Sequence, residues 1–137
     1  MKLKLKALWH SGWQRLNTFD IRPAKPVVHE LFKQAYADLD AGDFLSAKDY
    51  FSKILLNNNR NRRALLDLSH VHIRTGGFKQ AIALLRHSLK NYPNDYEFYS
   101  LLGEAYSSQN KLKTAVKYYA RALDLCPGDP KIEHLLN

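Results

Sequence analysis

Residues 99–127 read YSLLGEAYSSQNKLKTAVKYYARALDLCP and contain two runs of helical spacing around a polar break. Apolar and small residues recur every three or four positions on both sides of Asn110, which is typical of two amphipathic helices joined by a tight turn. The residues of the first face are Tyr99, Leu102, Gly103 and Tyr106, and those of the second are Leu112, Ala115, Val116, Tyr119, Ala122 and Leu123. Pro127 then predicts the end of the second helix.

The same pattern occurs twice more upstream, at a spacing of 34 residues. The matching positions are Gly42, Gly76 and Asn110 in the turns, then Ala47, Ala81 and Ala115, and then Phe51, Leu85 and Tyr119. A turn that ends a helix in the left-handed conformation accepts glycine best and asparagine next, which explains the turn residues. A unit this short cannot bury its own apolar face, so the units are expected to stack into one core with an extended surface.

In this pattern the chain resembles the tetratricopeptide repeat family, with units at 28–61, 62–95 and 96–129. Unit three carries nearly the whole family pattern: Tyr99, Leu102, Gly103, Tyr106, Ala115, Tyr119, Ala122 and Pro127. The resemblance implies an all-α fold, a right-handed α-solenoid of three antiparallel helix pairs. It places Ala35, Ser69 and Gly103 where paired helices cross closely. Residues 130–137 look like the start of a C-terminal capping helix, short enough to leave part of the last face open.

Composition fits one globular domain, with 45% hydrophobic and 25% charged residues. The single cysteine, Cys126, excludes a disulfide within the chain and is compatible with a cytoplasmic location. We expect no enzymatic activity and no cofactor, because neither a phosphate loop nor a nucleophile elbow is present. We also expect no metal site, since His70 and His72 are two residues apart on a helix and point in different directions.

The amino-terminal segment, residues 1–27, is strongly basic, with six lysines and arginines against Asp20 alone. It predicts an extra amphipathic helix, whose apolar side carries Leu5, Leu8, Trp9, Trp13 and Leu16. Packing of this helix on the end or in the groove of the array is the favoured interpretation. The alternative is that the helix anchors the protein at an anionic membrane surface, which would make the protein peripheral to a membrane. A mitochondrial transit peptide is a third and weaker interpretation of the segment. Residues 23–26 are expected to form a stiff linker.

In the family that the chain resembles, the first helices of the units line the concave side. The resemblance therefore implies a partner-binding groove formed by Phe32, Tyr36, Leu39, Arg63, Leu66, His70, Ile73, Arg74, Glu97, Ser100, Glu104, Ser107 and Ser108. This groove would be aromatic at one end, basic in the middle and acidic at the other, which favours an apolar or amphipathic segment. Some family members hold acidic chaperone tails with cations and asparagines on these helices. This chain has Phe32, Tyr36, Asp67, Glu97 and Leu101 at the matching places, which disfavours that function.

A second candidate surface is a basic outer face on the second helices and one loop. Its residues are Arg60, Arg62, Arg63, Lys79, Arg86, Lys90, Lys113, Lys117 and Arg121. Dense positive charge attracts anionic lipid, an acidic protein filament or a nucleic-acid backbone. Nucleic acid ranks last, because no recognised nucleic-acid-binding motif accompanies the charge.

The sequence thus favours a non-enzymatic adaptor or scaffold that binds a partner protein through its repeat surface. One alternative is a membrane-tethered scaffold that links an acidic partner, such as a cytoskeletal filament, to anionic lipid. Small bacterial proteins described as kinesin-light-chain-like are similar to this chain in general build. A nucleic-acid-associated factor is another alternative, and the open ends of the array suggest a homo-oligomer.

Overall fold

The computed structural model describes residues 25–136, and this part of the chain contains only helices and turns. The predicted amino-terminal amphipathic helix with Leu5, Leu8, Trp9, Trp13 and Leu16 lies outside the described residues. The helices are α1 Lys25–Ala41, α2 Phe44–Asn57, α3 Arg62–Arg74, α4 Phe78–Ser88, α5 Tyr96–Ser108, α6 Leu112–Leu125 and α7 Pro130–Leu136. α1 begins inside the stretch expected to be a linker. Its second residue is Pro26, and proline is tolerated in the first turn of a helix because the N–H there has no intrahelical partner.

The six long helices form three pairs, α1 with α2, α3 with α4 and α5 with α6, and consecutive pairs pack on one another. α3 also contacts α5, so the first helices of units two and three lie side by side. Leu55 and Leu84 pack against the core residues of both unit one and unit two, which makes the core continuous across the units. The predicted helical solenoid is therefore confirmed.

The turns have the backbone geometry that the sequence predicts. Gly42 and Gly76 have φ angles of 79° and 80°, and Asn110 has a φ angle of 60°. Side-chain caps support the following helices: Asp43 accepts a hydrogen bond from the N–H of Ser46, and Asp95 accepts one from the N–H of Glu97. These turns set the close antiparallel packing within each pair.

The small residues predicted at the helix crossings are all buried, and Ala35 and Ser69 are 0% exposed. At Gly103 the approach is closest, because a Cβ atom there would lie 2.6 Å from Cδ1 and Cε1 of Tyr119 on the partner helix. Glycine therefore leaves the space that the tyrosine ring occupies.

The C-terminal end of the array is covered only in part. Ile132 of α7 is 1% exposed and packs with Ala115, Tyr119 and Ala122. Leu112 and Val116, at the start of α6, remain 58% and 49% exposed. The seven-residue α7 thus seals one part of the last face and leaves the rest open to solvent.

Candidate protein-binding groove

The first helices bring an aromatic cluster together at the boundary of units one and two. The Phe32 and Tyr36 rings stack with centroids 6.1 Å apart and planes at 14°. The Arg63 guanidinium lies over both rings, 5.3 Å from the Phe32 centroid and 5.0 Å from the Tyr36 centroid, and its Nε donates a hydrogen bond of 2.8 Å to the Tyr36 hydroxyl. Cation–π contacts and stacking of this kind each contribute about 0.5–1 kcal/mol at exposed sites.

The Tyr36 hydroxyl donates a hydrogen bond to the Asp67 carboxylate, and Arg63 Nε lies 3.9 Å from the same carboxylate. Burial, together with the hydrogen bond to Asp67, raises the pKa of Tyr36 to about 12. Burial also raises the pKa of Asp67 above its usual value. The phenol is therefore a fixed hydrogen-bond donor at neutral pH, and it holds α1 to α3.

A second polar link joins unit two to unit three. Arg62 donates hydrogen bonds from Nη2 to Asp95 Oδ1 at 2.9 Å and to Glu97 Oε1 at 2.8 Å, and its Nε also donates to Asp95. The Asp95 side chain is 12% exposed, and these carboxylates raise the pKa of Arg62. The sequence assigned Arg62 to the basic outer face. Its charge is instead used in this inter-unit ion pair, because Asp95 and Glu97 begin the next first helix directly beside it.

Between α3, α5 and α7 lies a solvent-open groove of about 320 Å³, which we call the acidic groove. Its lining residues are Leu66, Asp67, His70, Tyr96, Glu97, Ser100, Leu101, Glu104, Asp129, Lys131 and Ile132. Four carboxylates thus face one lysine, in a chain whose net charge is +8. Leu66, Leu101 and Ile132 supply an apolar floor. Within residues 25–136, no group of three His, Cys, Asp or Glu side chains is arranged to hold a metal ion.

Five residues of the sequence-predicted groove line this acidic groove: Leu66, His70, Glu97, Ser100 and Glu104. Phe32, Tyr36 and Arg63 form the aromatic cluster beside it. Leu39 instead packs against the core of unit one. Arg74, at the end of α3, lies over the Phe44 ring with its guanidinium 5.6 Å from the ring centroid.

The two arginines expected in the basic middle of the groove lie outside the lining of the acidic groove. Arg63 is folded over aromatic rings at the unit boundary and Arg74 lies at the far end of α3, so the lining of the middle is acidic. The groove residues missing from the sequence-derived list are Asp67, Tyr96, Leu101, Asp129, Lys131 and Ile132. Asp67 and Leu101 are 34 residues apart and follow Arg63 and Glu97 by one helical turn, and the sequence placed both only among the positions where family members hold chaperone tails.

Five residues of the predicted basic outer face are exposed: Lys79 and Arg86 on α4, Lys90 in the turn that follows it, and Lys113 and Lys117 on α6. Arg121 lies over the Tyr99 ring, 5.8 Å from its centroid. Arg60 is in the α2–α3 loop, where its carbonyl accepts a hydrogen bond from the Tyr92 hydroxyl. The charges on α4, on the turn after it and on α6 lie apart from the helices that line the acidic groove, whereas Arg62 and Arg63 belong to α3.

None of the helices in residues 25–136 is both long and apolar enough to cross a membrane.

Comparison with known proteins gives one family model and a set of similar folds. Residues 66–130 match the family model described as tetratricopeptide repeat. A structure described as the first TPR of Spaghetti (RPAP3) bound to the HSP90 peptide SRMEEVD is 21% identical, with a TM-score of 0.74; the match covers 85% of this chain and 92% of that one.

Two bacterial structures are also similar. The type III secretion chaperone SycD of Yersinia enterocolitica, in complex with a peptide of the translocator YopD, is 16% identical with a TM-score of 0.74, over 82% of this chain and 92% of that one. MamA from Desulfovibrio magneticus RS-1 is 26% identical with a TM-score of 0.70, over 82% of this chain and 63% of that one. All three align with most of the chain, so the likeness extends beyond a single helix pair.

Proposed function

The chain carries tetratricopeptide repeats, and we propose that it is a non-enzymatic adaptor that binds a segment of a partner protein in the acidic groove. The observation that carries this proposal is the composition of the lining, which combines an apolar floor with four carboxylates around an open volume of about 320 Å³. Apolar contacts supply affinity for a segment, and the carboxylates select its charge.

Two of the similar structures support a peptide ligand, since one is bound to the HSP90 peptide SRMEEVD and the other to a peptide of YopD. The lining of the acidic groove is rich in carboxylates, whereas an acidic peptide requires cations around it. An acidic peptide in this groove would bring its carboxylates towards Glu104 and Asp129, and like charges brought together in an interface oppose binding. We therefore propose an amphipathic partner segment that carries lysine or arginine.

Glu104 is the best position for testing this proposal. No basic side chain of the described residues lies within 4 Å of its carboxylate, whereas Glu97 binds Arg62 and Asp67 binds Tyr36. Charge reversal of Glu104 therefore changes the groove without breaking an inter-unit contact. Asp124, exposed on α6, offers a matched control because Asp124→Lys makes the same change in net charge outside the groove.

The experiment selects peptides from a displayed library on the wild-type protein and measures their affinities by fluorescence anisotropy at low and high salt. The selected peptides should be cationic and amphipathic. They should bind Glu104→Lys at least about tenfold more weakly, because an attraction becomes a repulsion, while Asp124→Lys should bind them as the wild type does. Selected peptides that lack cations, or that bind Glu104→Lys unchanged, would refute the proposal.

A second candidate function rests on the exposed lysines and arginines of α4 and α6. In this alternative the protein is a scaffold tethered to an anionic surface, with the basic outer face and the amino-terminal segment in contact with lipid. Salt-sensitive sedimentation with phosphatidylserine-containing vesicles should then be lost in Lys113→Glu, Lys117→Glu. Sedimentation that this variant leaves unchanged, or that neutral vesicles match, would exclude the outer face as the contact.

A further inference from the structure

We infer that the acidic groove has an occupant within the chain itself, the basic amphipathic segment that precedes α1. This inference deepens the proposed function, because it concerns the same groove and the same kind of ligand. The segment would act as an intramolecular competitor of the partner. It also explains why one acidic groove exists in a chain with a net charge of +8.

Charge complementarity is the first support. Residues 1–24 carry five lysines and arginines, of which Lys2, Lys4, Lys6 and Arg15 lie in the predicted helix, and Asp20 is their only acid. Of the four groove carboxylates, Glu97 is paired with Arg62, and Asp67 accepts a hydrogen bond from Tyr36 with Arg63 3.9 Å away. Glu104 has no basic neighbour within 4 Å among the described residues, so its charge is available to a lysine or arginine of the segment. Complementary potentials of this kind fix register and suppress other partners.

Apolar complementarity is the second support. Leu5, Leu8, Trp9, Trp13 and Leu16 follow helical spacing, and they span twelve residues, or about 18 Å of helix. The groove extends from α3 across α5 to α7, and the contacting pair α3 and α5 accounts for about 8–10 Å of its length. Anchors at this spacing suit an amphipathic helix that lies in a groove.

Chain length permits the contact. The first helices of the units run in the same direction, so the starts of α1, α3 and α5 lie along one edge of the array. Two helix spacings separate the start of α1 from Tyr96 at the start of α5, about 20 Å. The eight residues 17–24 can span about 26 Å when extended, so a helix ending at Leu16 can reach the groove.

A cavity of about 460 Å³ beside the start of α1 is the competing location for the segment. Its lining residues are Val28, His29, Phe32, Ile54, Asn57, Asn58 and Asn61. This lining contains no carboxylate and so offers no partner for the lysines of the segment. The acidic groove satisfies both the charged and the apolar side chains, and for that reason it is the location that we assign.

Tryptophan fluorescence of the full chain tests the inference, because both tryptophans of the protein, Trp9 and Trp13, belong to the segment. In the native protein their emission should be blue-shifted and shielded from acrylamide. Glu104→Lys should shift the emission to the red and increase quenching, and the matched control Asp124→Lys should leave both unchanged. High salt should reproduce the effect of Glu104→Lys, since the attraction is between partly solvated charges.

A second variant changes only the amino-terminal segment, so its effect cannot arise from a disturbance of the folded groove. The triple change Lys2→Glu, Lys4→Glu and Lys6→Glu leaves the repeats untouched and should produce the same red shift, with helix content checked by circular dichroism. Emission that is already solvent-like in the native chain would overturn the inference, as would equal emission from the Glu104 and Asp124 variants. A blue shift that arises only on addition of phosphatidylserine-containing vesicles would also overturn it, in favour of lipid.

The selected peptides separate this inference from the proposed function. If the segment occupies the groove, the triple variant should bind those peptides at least about tenfold more tightly than the native chain, because the competing intramolecular contact is removed. Equal affinities would overturn the intramolecular occupant and leave the groove function standing. Peptide binding by the triple variant, in which no segment competes, that is independent of Glu104 would instead overturn the groove function.

Discussion

Replacement of Gly103 by alanine should destabilise the protein, although the same substitution raises helix propensity. In a solvent-exposed helix interior, alanine is favoured over glycine by about 1 kcal/mol. At position 103 the new Cβ would lie 2.6 Å from two ring atoms of Tyr119, whereas ordinary contacts begin at 3.4 Å. The ring must therefore retreat by about 0.8 Å, and Tyr119 is itself 4% exposed and packed in the core of unit three.

Overpacking of a buried site costs typically about 1–3 kcal/mol. With the propensity gain of about 1 kcal/mol subtracted, we expect Gly103→Ala to lower the free energy of unfolding by up to about 2 kcal/mol. Urea unfolding followed by far-ultraviolet circular dichroism measures this difference. Ser69→Ala is a useful control, because position 69 is equivalent to position 103 in unit two and its partner position holds Leu85 instead of tyrosine.

A double-mutant cycle with Tyr119→Leu isolates the contact. This change recreates the leucine of unit two, so alanine at position 103 should become neutral or stabilising, with a coupling energy of about 2 kcal/mol. Two results would refute the reasoning. One is a gain in stability for Gly103→Ala alone, and the other is an equal loss in the tyrosine and leucine backgrounds.

The other predictions concern the polar links between units. Arg62→Leu should lower the free energy of unfolding by about 1 kcal/mol at low salt and by less at high salt, because a partly exposed ion pair is lost. The control Arg60→Leu should change the free energy of unfolding by less than about 0.5 kcal/mol. Equal effects of the two changes in urea unfolding would contradict the bridging role of Arg62. Because the pKa of Tyr36 is raised to about 12 in the fold, its contribution to stability is intact below pH 10 and is lost as pH rises from 10 to 12. Tyr36→Phe should therefore reduce the loss of stability between pH 10 and 12. Part of that loss should remain, because the pKa of Tyr119 is also raised to about 12. A loss of stability that is the same in Tyr36→Phe and in the wild type would contradict this assignment.

Local and periodic features of the fold were predictable from the sequence. Gly42, Gly76 and Asn110 mark left-handed turns because few other residues accept a positive φ, and this requirement acts on one residue at a time. The small residues at positions 35, 69 and 103 follow from the 34-residue period, which repeats the same helix crossing in each unit. These features depend on the local sequence and on its period, and not on contacts between side chains that are distant in the sequence.

The distribution of charge in the groove was not predictable in this way. The Arg63 side chain is 69% exposed, but its guanidinium lies over two rings and donates to a hydroxyl of unit one, at the unit boundary and outside the lining of the acidic groove. Asp129 and Lys131 enter the groove only because the short α7 packs back onto α6. These positions depend on contacts between units, which the 3.6-residue helical period does not encode.

Glu97 belongs both to the wall of the acidic groove and to the Arg62 ion pair between units two and three. A ligand cation that binds its carboxylate competes with Arg62 for the same charge. Groove occupancy and the relative orientation of the two units are then thermodynamically linked, and linkage acts equally in both directions. Ligands that differ only in where they place a cation could therefore set the superhelical curvature of the array differently, which small-angle X-ray scattering of the free and bound protein would detect.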